Sequence, residues 1–390
     1  MKKKNLCSVL IAMIIIATGV ILTPVQKVYA INYVQKEMDT SFSDSLAERD
    51  SENWYTLTTT KKGYFTMSFM PSDASTHGWD IYMYDSNFNT IKEYTGITLN
   101  LTSDRIMLPG NSTFYIKVTG HWKDNWAPVG VEYTISTKQV YDKTWELEAN
   151  GTTSKANALT SGKKKYATIW KKDDVDYFKF KTTKNGYTQF HFTVEEEDTS
   201  KCSHGWTISI LNSKGEIIYS QSDITMGYVS RRFNFKKGTT LYVAVEGKWK
   251  DGWAPVDALY SITAKEKKSS SWELEPNNTT SKATTITSSK VGTIFTGSDV
   301  DFYKYKPKKK TTKKLKISVV DDVVVNHGWN ITIYKKNALD KNIVNQVKGI
   351  TNDKTIKFKV QKGVTYYIKV TPTWTDGWSP NDVQYKIKIS

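Results

Sequence analysis

The sequence predicts an all-β protein in which three tandem β-sandwich domains, of the jelly-roll kind, follow a signal peptide. Three observations predict this fold. A unit of roughly 120 residues occurs three times, its segments alternate apolar and polar residues with a period of two, and turn-forming residues separate those segments. No segment sustains the 3.6-residue periodicity of an amphipathic helix.

The first 30 residues have the three parts of a secretory signal peptide. Lys2 to Lys4 form a cationic start, an apolar run extends from Val9 to Leu22, and Val28-Tyr29-Ala30 offers the small side chains of a cleavage site. An uncleaved membrane segment is the alternative, but the run is shorter than the ~20 residues that usually span a bilayer. We expect a protein that is secreted and extracellular or loosely attached to the cell surface, with no transmembrane segment in the mature chain.

Two signatures recur in every unit. His-Gly-Trp begins at residues 77, 204 and 327, and Trp-x-Asp-x-Trp-x-Pro begins at 122, 249 and 374. Solenoid repeats of about 20 to 50 residues cannot fold singly, whereas a unit of this size can bury its own core. We therefore expect a signal peptide over 1–30 and three sandwich repeats over 31–139, 140–266 and 267–390.

Cysteine content and composition narrow the class further. The chain has 390 residues, 38% of them hydrophobic, with 9 Pro, 22 Gly and 2 Cys. These values exclude collagen-like, disulfide-scaffolded and largely disordered chains. Cleavage of the signal leaves Cys202 alone, so the fold must be stabilised by packing without an internal disulfide.

The repeated histidines, tryptophans and aspartates have two open interpretations. They could clamp two loops together as a satellite core, or they could form a ligand platform in which indoles stack on sugar or proline rings. A zinc site is a weaker alternative, because one His and one Asp per domain fall short of the usual three or four ligands. The candidate ligand-binding residues are His77, Trp79, Trp122, Asp124, Trp126, His204, Trp206, Trp249, Asp251, Trp253, His327, Trp329, Trp374, Asp376 and Trp378.

The sequence offers no catalytic constellation. It lacks His-Glu-x-x-His, Gly-x-Ser-x-Gly and P-loop patterns. The pairs Asp174/Asp176 and Asp299/Asp301 place both carboxylates on one face of a strand, whereas glycosidase carboxylates usually flank the bond from different elements. A structural turn or a cation-binding role is favoured for these pairs. We expect no catalytic residues and no enzyme activity.

The formal net charge of +16 is concentrated most strongly in the third unit. Its lysines would form a solvated face that aids solubility and protects sheet edges, or a surface that attracts a polyanion. Because the protein is expected to be exported, nucleic acid is not an expected partner. The clustered residues are Lys304, Lys306, Lys308, Lys309, Lys310, Lys313, Lys314 and Lys316.

The start of each unit resembles the bacterial pre-peptidase C-terminal domain family. The third unit has Glu275-Pro276-Asn277-Asn278 and Asp299-Val300-Asp301-Phe302-Tyr303, the second keeps Glu148-Ala149-Asn150, and the first is degenerate. The resemblance implies three secreted β-sandwiches of the accessory kind, here without a peptidase. It also implies calcium held by Glu148, Asn150, Glu275, Asn277 and Asn278, with turn capping by the asparagines as the alternative.

Together these features predict a secreted, monomeric, non-catalytic protein that binds an extracellular polymer at several sites. Cell-wall or other carbohydrate is the first expected ligand. The alternatives are adhesion to a collagen-like matrix protein, and a role as a secreted toxin or hydrolase accessory.

Overall fold

The computed structural model describes residues 31–73, 78–121, 128–196, 199–249, 255–295, 297–320, 325, 327–373 and 383–390. The predicted signal peptide lies outside these residues. None of the helices in the described ranges has the length and apolar composition that crossing a membrane requires.

The described residues of the first sandwich form nine strands. They are β1 (Tyr33–Gln35), β2 (Ser41–Ser45), β3 (Glu52–Thr58), β4 (Gly63–Pro71), β5 (Trp79–Asp85), β6 (Thr90–Ile97), β7 (Leu101–Thr102), β8 (Thr113–Gly120) and β9 (Glu132–Tyr141). Five of them form one sheet in the order β1-β3-β8-β5-β6, and four form a second sheet in the order β2-β9-β4-β7.

The second sandwich repeats this plan. Its strands are β10 (Asn157–Ala158), β11 (Lys164–Ala167), β12 (Val175–Lys181), β13 (Gly186–Val194), β14 (Trp206–Leu211), β15 (Ile217–Ile224), β16 (Tyr228–Val229), β17 (Thr240–Gly247) and β18 (Tyr260–Lys268), with a 3-10 helix at Thr199–Cys202. The sheets run β10-β12-β17-β14-β15 and β11-β18-β13-β16.

The third sandwich does the same. Its strands are β19 (Thr284–Thr285), β20 (Ser289–Thr293), β21 (Asp301–Tyr305), β22 (Thr311–Val319), β23 (Trp329–Lys335), β24 (Ile343–Ile350), β25 (Lys354–Val360), β26 (Tyr366–Pro372) and β27 (Gln384–Ile389), with a 3-10 helix at Asp340–Asn342. The sheets run β19-β21-β26-β23-β24 and β20-β27-β22-β25.

The three sheet pairs therefore share one strand order, and the predicted all-β sandwich fold is confirmed. In each sandwich the first strand along the chain pairs in parallel with the third, as β1 does with β3, and both belong to the five-stranded sheet. The alternating burial along strands such as β4 and β8 follows the period of two in the sequence. The predicted boundaries at 139 and 266 stay predictions; β9 and β18 run two residues beyond them.

Each sandwich has its own apolar core between its two sheets. The tryptophan that opens the fifth strand meets the tyrosine of the ninth edge to face. The ring centroids are 6.4 Å apart for Trp79 and Tyr133, 6.1 Å for Trp206 and Tyr260, and 5.6 Å for Trp329 and Tyr385. Cys202 is buried in the second core.

The chain crosses from one sandwich to the next in the same way at both junctions. Trp145 packs against Tyr64 and Arg105 of the first sandwich, with ring centroids 5.5 Å apart and the guanidinium carbon 5.1 Å above the indole. Trp272 repeats these contacts with Tyr187 and Arg232 of the second. The tryptophan of each Trp-Glu-Leu-Glu segment is thus a junction residue.

Candidate functional site

The glycine of each His-Gly-Trp signature is required by a close backbone approach. Gly78, Gly205 and Gly328 have positive φ angles of 64°, 66° and 43°. A Cβ at these positions would lie 2.7, 2.6 and 2.2 Å from the carbonyl oxygen that ends the sixth strand of the sandwich. Only glycine has the conformation and the space for this turn.

Backbone hydrogen bonds bring the two signatures to the same end of each sandwich. The residue before the second signature donates its N–H to the glycine carbonyl of the first: His121 to Gly78 (3.0 Å), Lys248 to Gly205 (2.9 Å) and Thr373 to Gly328 (3.1 Å). The two loops therefore start side by side in all three domains.

The tryptophans of His-Gly-Trp lie inside the cores. Trp79 and Trp206 are 0% exposed and Trp329 is 1% exposed. The expectation that these three indoles contact a ligand is corrected, because sheet residues cover both faces of each ring. Their position matches the alternative interpretation as structural residues.

The second signature falls almost entirely outside the described residues. The candidate positions outside the described residues are His77 of the first signature and, in the second signature, Trp122, Asp124, Trp126, Asp251, Trp253, Trp374, Asp376 and Trp378. Trp249 is described, and it is 45% exposed with the Lys172 ammonium 3.7 Å from its ring centroid. His204 and His327 are half-buried, and His204 shares a hydrogen bond with Ser203. Trp249 thus remains available to a ligand.

A buried acidic cluster lies at the start of the second sandwich. Glu146, Glu148 and Asp176 place carboxylate oxygens within 4.8 Å of one another. Asn150 joins them, donating its backbone N–H to Glu148 (3.0 Å) and its amide N–H to Glu146 (2.8 Å). Tyr260 donates its hydroxyl hydrogen to Oδ2 of Asp176.

The third sandwich repeats this cluster with Glu273, Glu275 and Asp301. Asn277 donates to Glu275 (2.8 Å) and Glu273 (2.9 Å), and Tyr385 donates to Asp301. Both clusters therefore share two glutamates, an aspartate, an asparagine and a tyrosine, and in the third sandwich Tyr303 also donates its hydroxyl to Glu273.

Each cluster retains oxygen atoms that have no hydrogen-bond donor among the described residues. They are Glu148 Oε1, Asn150 Oδ1 and Asp176 Oδ1 in the second sandwich, and Glu275 Oε1, Asn277 Oδ1 and Asp301 Oδ1 in the third. Burial raises the pKa of every carboxyl group in both clusters. Neighbouring carboxylates raise most of these pKa values further. For Glu273, burial raises the pKa to about 7. Buried negative charge of this kind is costly without a compensating cation.

The residues fit a hard cation such as Ca²⁺. Carboxylate and amide oxygens are its preferred ligands, and water usually completes its shell of 6–8 oxygens. The predicted Glu148, Asn150, Glu275 and Asn277 lie in the clusters. Asn278 hydrogen-bonds through its amide nitrogen to Asp299 at 2.9 Å.

Sequence reasoning missed Glu146 and Glu273 as partners in these clusters. It favoured a structural turn or cation-binding role for Asp176 and Asp301 but did not join them to the glutamates. The repeat alignment of Trp-Glu-Leu-Glu with Asp-Val-Asp was the signal that could have joined them. In the first sandwich Asn53 occupies the position of Asp176 and Asp301, because it pairs with Val118 as they pair with Val245 and Val370. Its amide donates to the Tyr133 hydroxyl (2.7 Å), and the described residues of the first sandwich contain no comparable acidic cluster.

An exposed aromatic surface on the first sandwich was also missed. Six rings cover the outer face of its five-stranded sheet. We name this the aromatic face; its members are Tyr33, Trp54, Tyr82, Tyr84, Phe88 and Tyr115. None is buried, and Tyr33 and Phe88 are 37% and 46% exposed. The alternation of these aromatics with core residues along three strands was a usable signal.

The strand register explains why the aromatic face forms. Trp54 and Tyr82 both lie opposite Lys117, one on each side, and Tyr84 lies opposite Tyr115. The Lys117 ammonium is 5.5 Å from the Trp54 ring and 5.6 Å from the Tyr82 ring. Phe88, in the turn after β5, folds back over Tyr115. At the matching positions the second sandwich has Ser209 and Ala244 in place of Tyr82 and Lys117.

Three phenol groups of the aromatic face, those of Tyr33, Tyr82 and Tyr84, remain protonated. Partial burial raises the pKa of Tyr33, Tyr82 and Tyr84, and the neighbouring Asp80 and Glu93 raise that of Tyr82 further. Their hydroxyls can therefore donate and accept hydrogen bonds beside exposed ring faces. An amphipathic surface of this kind suits a ligand with alternating apolar faces and hydroxyl groups.

In comparisons with known proteins, the matches to this chain are solved structures. No family model and no curated protein matches the chain. The pre-peptidase C-terminal domain of the Bacillus anthracis collagenase is 16% identical, with a TM-score of 0.22 over 27% of this chain and 95% of that one. The CUB1-EGF-CUB2 region of human MASP-1/3 is 8% identical, with a TM-score of 0.27 over 90% and 99%. The M60 catalytic domain with two CBM51 domains of Clostridium perfringens ZmpB is 11% identical, with a TM-score of 0.23 over 89% and 55%. At these scores the similarities carry no argument about function, and the β-sandwich assignment rests on the sheets of this chain.

Proposed function

We propose that this protein is a secreted, non-catalytic binding protein for an extracellular polymer, and that the polymer is a carbohydrate. The aromatic face carries the proposal. Exposed, clustered rings of this extent are unusual on a protein surface that has no partner. Exposed indole and phenol rings stack on the apolar faces of sugar rings, while the tyrosine hydroxyls bond to sugar hydroxyls.

The electrostatics of the aromatic face favour a neutral polymer. Asp80, Glu93 and Glu52 surround it, and its cation Lys117 is paired with Glu52 at 2.5 Å. A face with surplus carboxylates repels an anionic chain. We therefore assign neutral polysaccharide to this face, with the exposed Trp249 as a further contact in the second sandwich.

We further propose that Ca²⁺ occupies the two acidic clusters in a structural role. The ion would compensate the buried carboxylates and hold the segment that joins adjacent sandwiches. That segment already bonds to the preceding sandwich, since Glu148 donates its N–H to Met107 (3.0 Å) and Glu275 donates to Asn234 (2.7 Å). Fixed spacing between domains would let several weak contacts act on one polymer chain.

A pull-down of residues 31–390 against insoluble chitin, cellulose, peptidoglycan and collagen, with and without EDTA, tests the proposal. We expect retention on at least one of the carbohydrates. Retention on collagen alone would overturn the carbohydrate assignment in favour of matrix adhesion, and retention on none would overturn polymer binding.

Variants of the aromatic face then locate the site. Trp54→Ala combined with Tyr84→Ala should lower carbohydrate affinity at least ~10-fold, which is the loss expected for central aromatic contacts. Tyr242→Ala is the matched control, because Tyr242 holds the position of Tyr115 in the second sandwich without the ring cluster. Equal loss in the control would show that the face is not the site.

A further inference from the structure

The four-stranded sheet of the third sandwich presents a lysine-covered outer face. Six exposed lysines lie on three adjacent strands, and we name this surface the lysine face. Its members are Lys314 and Lys316 on β22, Lys357 and Lys359 on β25, and Lys386 and Lys388 on β27.

The register places like charges directly opposite one another. Lys314 pairs with Lys357, and Lys316 pairs with Lys388. Opposed like charges destabilise a sheet. One carboxylate, that of Asp353, contacts the lysine face among the described residues, at 2.8 Å from Lys316. The arrangement thus has a cost in stability that a purely structural surface would avoid.

Edge protection does not account for the lysine face. Lysines on an exposed edge strand prevent sheets from joining, and β25 is such an edge. However, β22 and β27 are the two central strands of this sheet. Lys314, Lys316, Lys386 and Lys388 therefore lie where no edge needs protection.

The other two sandwiches provide an internal comparison. The position of Lys316 and Lys388 is taken by Ser68 and Ser136 in the first sandwich and by His191 and Thr263 in the second. The same backbone therefore folds without lysine at these sites. The lysines are a property of the third sandwich and not of the fold.

The positive charge continues into two clefts beside the lysine face. One, of about 660 Å³, is lined by Lys310, Lys335 and Lys359 together with Thr312 and Tyr366. The other, of about 810 Å³, is lined by five lysines, Lys306, Lys308, Lys309, Lys310 and Lys313. No acidic residue is among the lining residues that the structure describes.

We propose that the lysine face and its clefts bind an anionic phosphodiester polymer, a flexible chain with one negative charge per repeating unit. Residues 267–390 contain no arginine. Arginine is preferred for planar, bidentate pairing with carboxylate or phosphate, whereas lysine is a point charge that binds phosphate without a fixed pairing geometry. Lysines on alternate positions of a strand are about 6–7 Å apart, so an extended chain with regularly spaced charges can contact several at once.

The composition of the lysine face separates this ligand from two other anions. On the same face, hydroxyl residues lie opposite lysines: Thr312 opposite Lys359, Thr355 opposite Lys316 and Ser318 opposite Lys386. The exposed side chains described on these three strands include no aromatic ring that could stack on nucleic-acid bases. They also include none of the apolar side chains with which interfacial segments enter a lipid bilayer. The proposal goes beyond the carbohydrate binding proposed above. It concerns the third sandwich instead of the first, a different sheet, and an anionic polymer instead of a neutral one.

The test uses residues 31–390 and purified poly(glycerol phosphate), with binding measured by calorimetry from 50 to 400 mM salt. The combined variant Lys314→Gln, Lys316→Gln, Lys357→Gln, Lys388→Gln should bind on the order of 100-fold more weakly at low salt, with a log–log salt slope shallower by about 3. The control variant removes the same charge from exposed sites on the second sandwich: Lys163→Gln, Lys184→Gln, Lys214→Gln, Lys237→Gln. It should keep the wild-type slope to within about one unit.

Several outcomes would overturn the proposal. They are no binding by the wild type, equal loss in the control variant, or equally tight binding of polygalacturonate or of phosphatidylglycerol vesicles. Retention on neutral polysaccharide should be unchanged in the lysine variant. This readout separates failure of the lysine face from failure of the proposed carbohydrate binding.

Discussion

Phe88 lies face to face over Tyr115, with ring centroids 4.8 Å apart and ring planes 5° from parallel. Phe88 has a φ of 61°, a conformation that is costly for a bulky residue. The turn after β5 is therefore strained, and the Phe88 ring in this turn covers Tyr115 on the sheet. This combination is characteristic of a functional position rather than of a turn selected for stability.

The variant Phe88→Gly distinguishes the contribution of the aromatic ring from that of the strained backbone. We expect weaker carbohydrate binding, because the ring is lost, and unchanged or higher thermal stability, because glycine adopts this φ without strain. Binding and melting are measured on the same preparation. A Phe88→Asn variant, which also tolerates positive φ, should behave alike; retained binding in both would exclude Phe88 from the site.

Trp206→Ala should destabilise the second sandwich by about 3–5 kcal/mol, since it removes a fully buried ring from the core. Trp249→Ala, on the exposed signature loop, should change stability by no more than about 0.5 kcal/mol. Denaturant titration followed by fluorescence of the remaining tryptophans measures both. A large loss for Trp249→Ala would assign the loop tryptophan to a structural clamp.

Gly328→Ala tests the close approach in the His-Gly-Trp turn. The new Cβ would lie 2.2 Å from the Ile350 carbonyl oxygen, so we expect a loss well above the ~1–2 kcal/mol that a left-handed backbone alone costs alanine. Gly363→Ala is the matched control, because Gly363 has a φ of 75° and a Cβ added there would meet no atom within 4 Å. Equal effects on the melting temperature would show that the contact with Ile350 is unimportant.

Calcium should raise the melting temperature of the protein, and EDTA should lower it. A ligand at 100 times its dissociation constant stabilises a folded domain by about 2.7 kcal/mol. The double variant Asp176→Asn, Asp301→Asn copies the Asn53 of the first sandwich and should lose this response while remaining folded. Asp353→Asn, at the surface of the third sandwich, should keep it. A calcium response that persists in the double variant would contradict the assignment.

Lys357→Glu should stabilise the third sandwich by about 0.2–1 kcal/mol, because an opposite charge would then face Lys314. The gain should disappear at high salt as the charges are screened. Thermal melts at low and high salt measure both effects. A loss of stability would show that the opposed lysines do not repel each other in the folded protein.

Sequence periodicity and repetition were sufficient for the fold class. The alternation in strands such as β4 and β8 can be read directly, because each second side chain of a strand enters the core. This alternation is a local feature, because it depends only on residues that are neighbours in the chain.

The sites depended on contacts that only the tertiary structure makes. Trp79 and Trp249 belong to signatures of similar appearance, yet one is in a core and the other is exposed, because burial depends on which strand faces the residue. Glu146 and Asp176 lie 30 positions apart in the sequence and meet because β12 runs beside the junction segment.

The sequence by itself therefore determined the repeat, the sandwich class and the placement of lysines in the third unit. Tertiary structure decided which side chains share a surface: the aromatic face needs four strands and a turn in register, and the lysine face needs three. The physical reason is that strand order and register arise from pairing between distant segments, whereas the period of a strand is a property of each segment alone.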